Sequence, residues 1–185
     1  MKRERIIRVL LNENNLTKYR VSKLAETSFS WTHEFLKQLE KKNLIKGTKV
    51  IDKVKLINYW KTIHKKPEYK QYFVQKPLQI LKETKLKYAL TTHQAENLTQ
   101  KYLFPSRIDF YIKKDDENKW HKLLIKNGMY GKGNVRVLIA DEHIFYKSRT
   151  INGFKVVNTP QLILDLLVEG GPATEAGELL LKKNV

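Results

Sequence analysis

Residues 18–45 read KYRVSKLAETSFSWTHEFLKQLEKKNLI, and their apolar spacing decides the first half of the fold. Val21, Leu24 and Ala25 recur at i, i+3 and i+4, the period of one helix face. Thr32, Phe35, Leu36 and Leu39 form a second stripe, and Leu44 and Ile45 close the unit. The stretch predicts two short helices, at about 18–26 and 30–42, separated by a tight break, which is the pattern of a helix-turn-helix. Ser30, Trp31, His33, Glu34, Lys37, Gln38 and Lys41 remain on the outer face of the second helix. Such a polar helix face suits the major groove of double-stranded DNA.

On the N-terminal side, residues 3–12 predict a helix that buries Ile6, Ile7, Leu10 and Leu11. On the C-terminal side, the β-prone stretch IKGTKVI (45–51) contains a glycine and predicts a small basic wing. Asp52 is placed to cap a further helix held by Val54, Ile57 and Trp60. These elements add up to a winged helix of about 60 residues. His64-Lys65-Lys66-Pro67-Glu68 then breaks the pattern. The expected domains are therefore 1–66, binding DNA, and 67–185, an α/β module.

The second module alternates. Helices are expected at Pro77–Lys85, Thr92–Lys101 (capped by threonine), Asp116–Asn127, Thr159–Val168 and Ala173–Lys183. Trp120, Leu123 and Leu124 form the apolar face of the third of these, and Thr159-Pro160 reads as an N-cap followed by proline. Strands are expected at Lys87–Thr91, at a half-buried Arg107–Lys113, and at Val135–Ala140, Ile144–Tyr146 and Phe154–Val157. Gly128–Gly133 reads as a turn and Gly170-Gly171-Pro172 as a hard stop. The fold class is α+β, with an N-terminal winged helix-turn-helix followed by an α/β module.

Charge is distributed unevenly. Residues 1–66 carry 17 Lys and Arg against 6 Asp and Glu, residues 67–133 carry 13 against 7, and residues 134–185 carry 6 against 6. The net charge of +17 thus gathers at the helix-turn-helix end, which suits a polyanion. With 41% apolar residues each module can bury a core, and the lack of cysteine excludes disulfides and thiolate metal sites. The opening residues MKRERIIRVLLNENN read as an amphipathic helix, not a signal peptide, and no apolar run reaches the length of a membrane span. A cytoplasmic protein that does not enter membranes is expected.

Five segments together resemble a known family: the N-terminal winged helix, YALTTHQAENL (88–98), RIDFYI (107–112), GNVRVLIADEHIFY (133–146) and VVNTPQLILDLLVEGGPATEAGELLLKK (156–183). The chain resembles the AbiEi-type regulators, the antitoxin halves of type IV abortive-infection toxin–antitoxin pairs in bacteria and archaea. TPQLILDLL…GG…EAGELL (159–180) carries most of the likeness. The resemblance implies a DNA-binding domain that represses its own operon. It also implies a degenerate nucleotidyltransferase-like C-terminal domain that counters a toxin of nucleotidyltransferase type. The chain departs from the pattern at Asn43, which stands where glycine often precedes Leu-Ile, and in a short wing.

A working nucleotidyltransferase needs a Gly-Ser turn and two carboxylates two positions apart on a strand, so that both hold Mg²⁺. Here the turn is Thr91-Thr92, and Arg107 stands where one carboxylate is wanted, leaving Asp109 as a structural or ion-paired residue. No catalysis and no cofactor are expected. The five histidines lack metal-ligand spacing, Asp115-Asp116-Glu117 reads as a capping cluster, and Gly131-Lys132-Gly133-Asn134 has no phosphate-loop frame.

The expected roles on DNA follow from side-chain chemistry. Ser30, His33, Lys37 and Gln38 face base edges and nearby phosphates, and Lys41 is counted with them as DNA-binding; Gln38 can pair bidentately with adenine, and Lys37 can donate to guanine or phosphate. Trp31 either contacts DNA or packs against the linker or Phe29, and Glu34 either reads cytosine or pairs with Lys37. Tyr19, Arg20 and Lys23 on the preceding helix, with Lys46 and Lys49 on the wing, are placed for phosphates. Three readings compete: the antitoxin-type regulator; a stand-alone winged-helix regulator whose second module senses a ligand or forms a homodimer; and an active nucleotidyltransferase, against which Arg107 argues.

Overall fold

The computed structural model describes residues 1–184 and has an α+β architecture. The described chain divides into two compact units: residues 1–65 together with 181–184, and residues 66–180.

The first unit runs α1 (Lys2–Asn12), α2 (Lys18–Leu24), α3 (Phe29–Lys41), β1 (Ile45–Lys46), β2 (Lys49–Val50) and α4 (Lys53–Ile63). Thr17 caps α2, its hydroxyl accepting from the Arg20 N–H at 3.1 Å. Thr32, Phe35, Leu36 and Leu39 are all buried, as their spacing requires. α3 ends in a Schellman arrangement: the Leu44 N–H reaches the Leu39 carbonyl and the Asn43 N–H the Glu40 carbonyl. Asn43 has φ 55°, so it takes the left-handed position that glycine usually fills. Asn is the residue that tolerates this after glycine, and the departure at Asn43 leaves the helix end intact.

β1 and β2 form a hairpin with a two-residue loop, and glycine is needed at its first position because Gly47 has φ 65°. Asp52 caps α4, its carboxylate accepting from the Lys55 N–H at 2.9 Å. α4 is held by Leu56, Ile57 and Trp60; Val54, expected in that face, is 38% exposed because it lies in the first turn, before the helix meets its neighbours. In α1 Ile6, Ile7 and Leu10 are buried as their spacing requires, Val9 is buried with them, and Leu11 is only half-buried. Glu4 ties α1 to the end of α4, accepting from Trp60 Nε1 at 3.1 Å and lying 2.7 Å from His64 Nδ1.

The second unit is built on a seven-stranded mixed sheet of order β6-β3-β7-β5-β4-β9-β8. In chain order its elements are β3 (Tyr69–Val74), α5 (Pro77–Glu83), β4 (Ala89–Thr91), α6 (Thr92–Gln100), β5 (Ile108–Lys113), α7 (Glu117–Lys126), β6 (Gly128–Tyr130), β7 (Val135–Ala140), β8 (Arg149–Ile151), β9 (Phe154–Val156), α8 (Thr159–Glu169) and the part of α9 (Pro172–Lys183) up to Leu180, so the unit ends short of the expected 67–185. The central strand β5 pairs parallel with β7 and antiparallel with β4. α7 seals one face with Trp120, whose ring lies 4.9 Å from that of Phe110 and 6.0 Å from that of Tyr88.

Several expectations need correction. Residues Ile108–Ile112 of β5 are buried on both faces, because Asp109 is polar yet ion-paired inside; alternation suggested a half-exposed strand. Gly128–Gly133 is not merely a turn, since its first three residues form the edge strand β6. Ile144–Tyr146 is not a strand: Glu142–Phe145 is a 3₁₀ turn, started by the Asp141 carboxylate accepting from the His143 N–H at 3.1 Å. A short apolar run does not distinguish the two. β3 and β8 were not anticipated. The residue that caps α8 is Asn158, which accepts from the Gln161 N–H at 3.0 Å, one position before Thr159. Thr91 precedes α6 but does not cap it; its hydroxyl donates to Asp165 instead.

Candidate nucleic-acid interface and a charged cluster in the sheet unit

The burial of Thr32, Phe35, Leu36 and Leu39 fixes which face of α3 looks outward. Ser30, Glu34, Lys37, Gln38 and Lys41 are exposed, and Trp31 and His33 are half-buried. Lys37 Nζ lies 3.2 Å from Glu34 Oε1, a solvent-exposed pair one turn apart and therefore a weak one. Trp31 stacks on Phe35 at 5.7 Å and not on Phe29. The His33 ring stacks on Phe29 at 6.0 Å, and its Nδ1 is buried without a hydrogen-bond partner.

Tyr19, Arg20 and Lys23 of α2 are exposed, and Lys23 Nζ sits 5.3 Å from the centre of the Tyr19 ring. Tyr19 is 58% and Phe29 48% exposed, with their rings 6.5 Å apart. Phe29 was missed as a contact candidate, since in sequence it reads as the first apolar residue of a helix. Exposed Lys46 and Lys49 stand directly opposite one another on the hairpin. Like charges paired in this way destabilise a ladder unless an anion lies between or beside them.

In the sheet unit, the register aligns Gln71, Arg136, Asp109 and Thr91 across β3, β7, β5 and β4. Residues directly opposite share a face, and Arg107, two before Asp109, projects the same way. Asp109 is fully buried. It accepts from Arg107 Nε at 2.7 Å and Nη2 at 3.1 Å, and from Arg136 Nε at 3.1 Å and Nη2 at 3.0 Å. The Thr92 hydroxyl also donates to it. Glu169, the last residue of α8, takes one bond of 2.6 Å from each guanidinium. One turn earlier Asp165 accepts from Thr91, from Gln161 Nε2 at 2.7 Å and from the Tyr111 hydroxyl at 3.1 Å. The β-branched Thr92 is held at φ 47°, a strained conformation kept in place by its bond to Asp109.

Above this cluster lies a cleft of about 320 Å³ lined by Lys66, Tyr69, Thr92, Tyr111, Arg136 and Glu169, among others. Single ligand atoms of His93, Asp109 and Glu169 come within 4.8 Å of one another, as metal ligands do. Two guanidiniums already bond both carboxylates, so the local charge is balanced without a cation. Sequence reading missed Arg136, Glu169 and His93 as a group because they come from three separate elements. The spacing of Arg107 and Asp109 was the only local signal. No protein-family profile, curated protein or solved structure matches the chain.

Burial pushes the Glu169 carboxyl up, but the hydrogen bonds and charges of Arg136 and Arg107 outweigh it and hold the group below its ordinary value. Glu4 behaves alike: burial raises it, and His64 and Trp60 bring it down further. A carboxyl whose folded pKa is depressed stabilises the fold above its unfolded pKa, and that stability is lost as pH falls through the folded value. In each unit this contribution is therefore expected to be fully present near neutrality and to decline as pH falls below about 4.5, the ordinary carboxylate value. Urea midpoints measured from pH 7 to pH 3 check this, and Glu169→Gln should flatten the acid limb. An unchanged limb in that variant would remove Glu169 as a contributor.

Proposed function

We propose that the protein is a DNA-binding transcriptional regulator of the AbiEi antitoxin type, a winged helix joined to a nucleotidyltransferase-like scaffold without catalysis. In this reading it works in the cytoplasm, represses its own operon and neutralises a toxin encoded alongside. One observation carries the DNA half: a helix whose buried stripe leaves Ser30, Lys37, Gln38 and Lys41 outward, flanked by a hairpin with two opposed lysines. A polyanion relieves the repulsion between Lys46 and Lys49 and so favours the docked state. Among the described residues no helix is long and apolar enough to cross a membrane. The non-catalytic half rests on Arg107 and Arg136, which occupy both oxygens of the one carboxylate on β5.

The test is a titration on the DNA upstream of the gene at several salt concentrations. With about five phosphates neutralised, log K should fall against log[salt] with a slope of roughly −4 to −5. Lys46→Ala with Lys49→Ala should reduce that slope by about two while leaving sequence preference in place. Salt-independent binding, or none, would refute the assignment. The cleft over Arg136 favours a second reading, in which a stand-alone regulator senses a small polar ligand there. Absence of a toxin gene nearby, with ligand-dependent release of DNA, would select it.

A further inference from the structure

β6 is an edge strand: it pairs with β3 on one side and with no strand on the other. The Gly131 N–H donates to the Gln71 carbonyl at 2.9 Å, which makes those two a hydrogen-bonded pair in the same register. Alternation along an antiparallel ladder then makes Phe73 and Met129 the next such pair. It turns the N–H and C=O groups of Gly128 and Tyr130 to the open side. Phe73 and Met129 share one face, 49% and 67% exposed, and line a groove of about 580 Å³ with Ile80 and Ile125. The groove is well built. Asn134 bonds both the N–H and C=O of Val74 at 2.9 Å, and a Cβ on Gly128 would meet the Phe73 carbonyl oxygen at 2.0 Å. The edge therefore sits tight against β3.

Charge decides what fits there. The groove is lined by two lysines, Lys76 and Lys126, against one glutamate, Glu83, and Lys132 follows two residues after β6. Lys76, Lys126 and Lys132 are exposed, and the one glutamate, Glu83, accepts from Gln79 at 2.8 Å. A second copy of this chain would bring the same positive charge against itself. Duplex DNA would answer the lysines but leave the apolar floor and the unpaired strand edge without partners. We propose that β6 accepts an extended, acidic segment of a partner protein as an eighth strand, its apolar side chains seated on Phe73, Ile125 and Met129 and its carboxylates facing Lys76, Lys126 and Lys132. Backbone pairing supplies affinity and alternate side chains supply selectivity, as in other strand additions. This surface is independent of α3 and of the DNA reading.

The probes are a labelled peptide alternating valine with aspartate or glutamate, its lysine counterpart, and an acidic peptide N-methylated at alternate residues. The full chain should bind the acidic peptide saturably and slow amide exchange at Gly128 and Tyr130. The lysine and N-methylated peptides should bind at least about tenfold more weakly. Met129→Asp and Lys126→Glu, both at exposed positions, should each weaken the acidic peptide by about tenfold without shifting the urea midpoint. Equal binding of the lysine peptide, or binding unaffected by both variants, would overturn the proposal. So would concentration-dependent dimerisation abolished by Met129→Asp, which would make a second copy the occupant. Loss of duplex binding in Lys126→Glu and Met129→Asp together would give the surface to nucleic acid.

Discussion

Replacing Arg136 with leucine is expected to destabilise the sheet unit by about 3–5 kcal/mol, the range for breaking a buried ion pair from one side. Asp109 is fully buried on the central strand, and Arg136 donates to both of its oxygens. Without Arg136 the carboxylate keeps Arg107 and Thr92, but Arg107 must also hold Glu169 alone. Leucine fills much of the volume, so the loss reports the exposed imbalance of charge more than a cavity. Amide exchange of Ile108–Lys113 and urea unfolding of the full chain both read it.

A second variant makes this result diagnostic. Asp109→Asn removes the buried charge, so the double variant Arg136→Leu, Asp109→Asn should recover part of the loss; the coupling between such neighbours is commonly about 0.5–3 kcal/mol. Strict additivity, or an Arg136→Leu protein within about 0.5 kcal/mol of the parent, would mean that the cluster is not what holds β5 to β7.

Lys37→Ala with Gln38→Ala is the second large effect, and it rests on the proposed DNA reading. Both side chains are exposed on α3, on the side opposite Leu36 and Leu39. A bidentate pair from Gln38 is worth about 1–3 kcal/mol of discrimination, and Lys37 adds a charge-assisted contact. Binding to the upstream segment should weaken by about 30- to 1,000-fold, and binding to random DNA only by a few-fold. Lys37 must leave Glu34 to reach DNA, but that pair is exposed and costs little to break. Competition binding against a random duplex measures the ratio. An equal loss on both sequences would reduce the two residues to phosphate contacts.

Periodicity alone determined the α2–α3 pair, its buried stripe and its outward face, because a helix places i, i+3 and i+4 on one side whatever surrounds it. The cap at Asp52 was legible for the same reason, since it acts within three residues; the equally local cap at Thr17 was not read from the sequence. The imbalance of charge toward the N-terminal end was legible too. The sheet was less legible. β6 and β8 have three residues each, too few for alternation to show, and β3 follows a proline and a charge run that read as a linker. Ile144 and Phe145 are apolar enough for a strand but turn instead on Asp141.

Only the tertiary structure decided what Asp109 does. Arg107 lies two residues away and hinted at an ion pair, but Arg136 and Glu169 come from β7 and α8. Strand register brings Arg136 opposite Asp109, and register depends on long-range pairing that no local spacing encodes. The open edge of β6 is hidden in sequence for the same reason: whether a strand has one neighbour or two is a property of the whole sheet, and not of the strand.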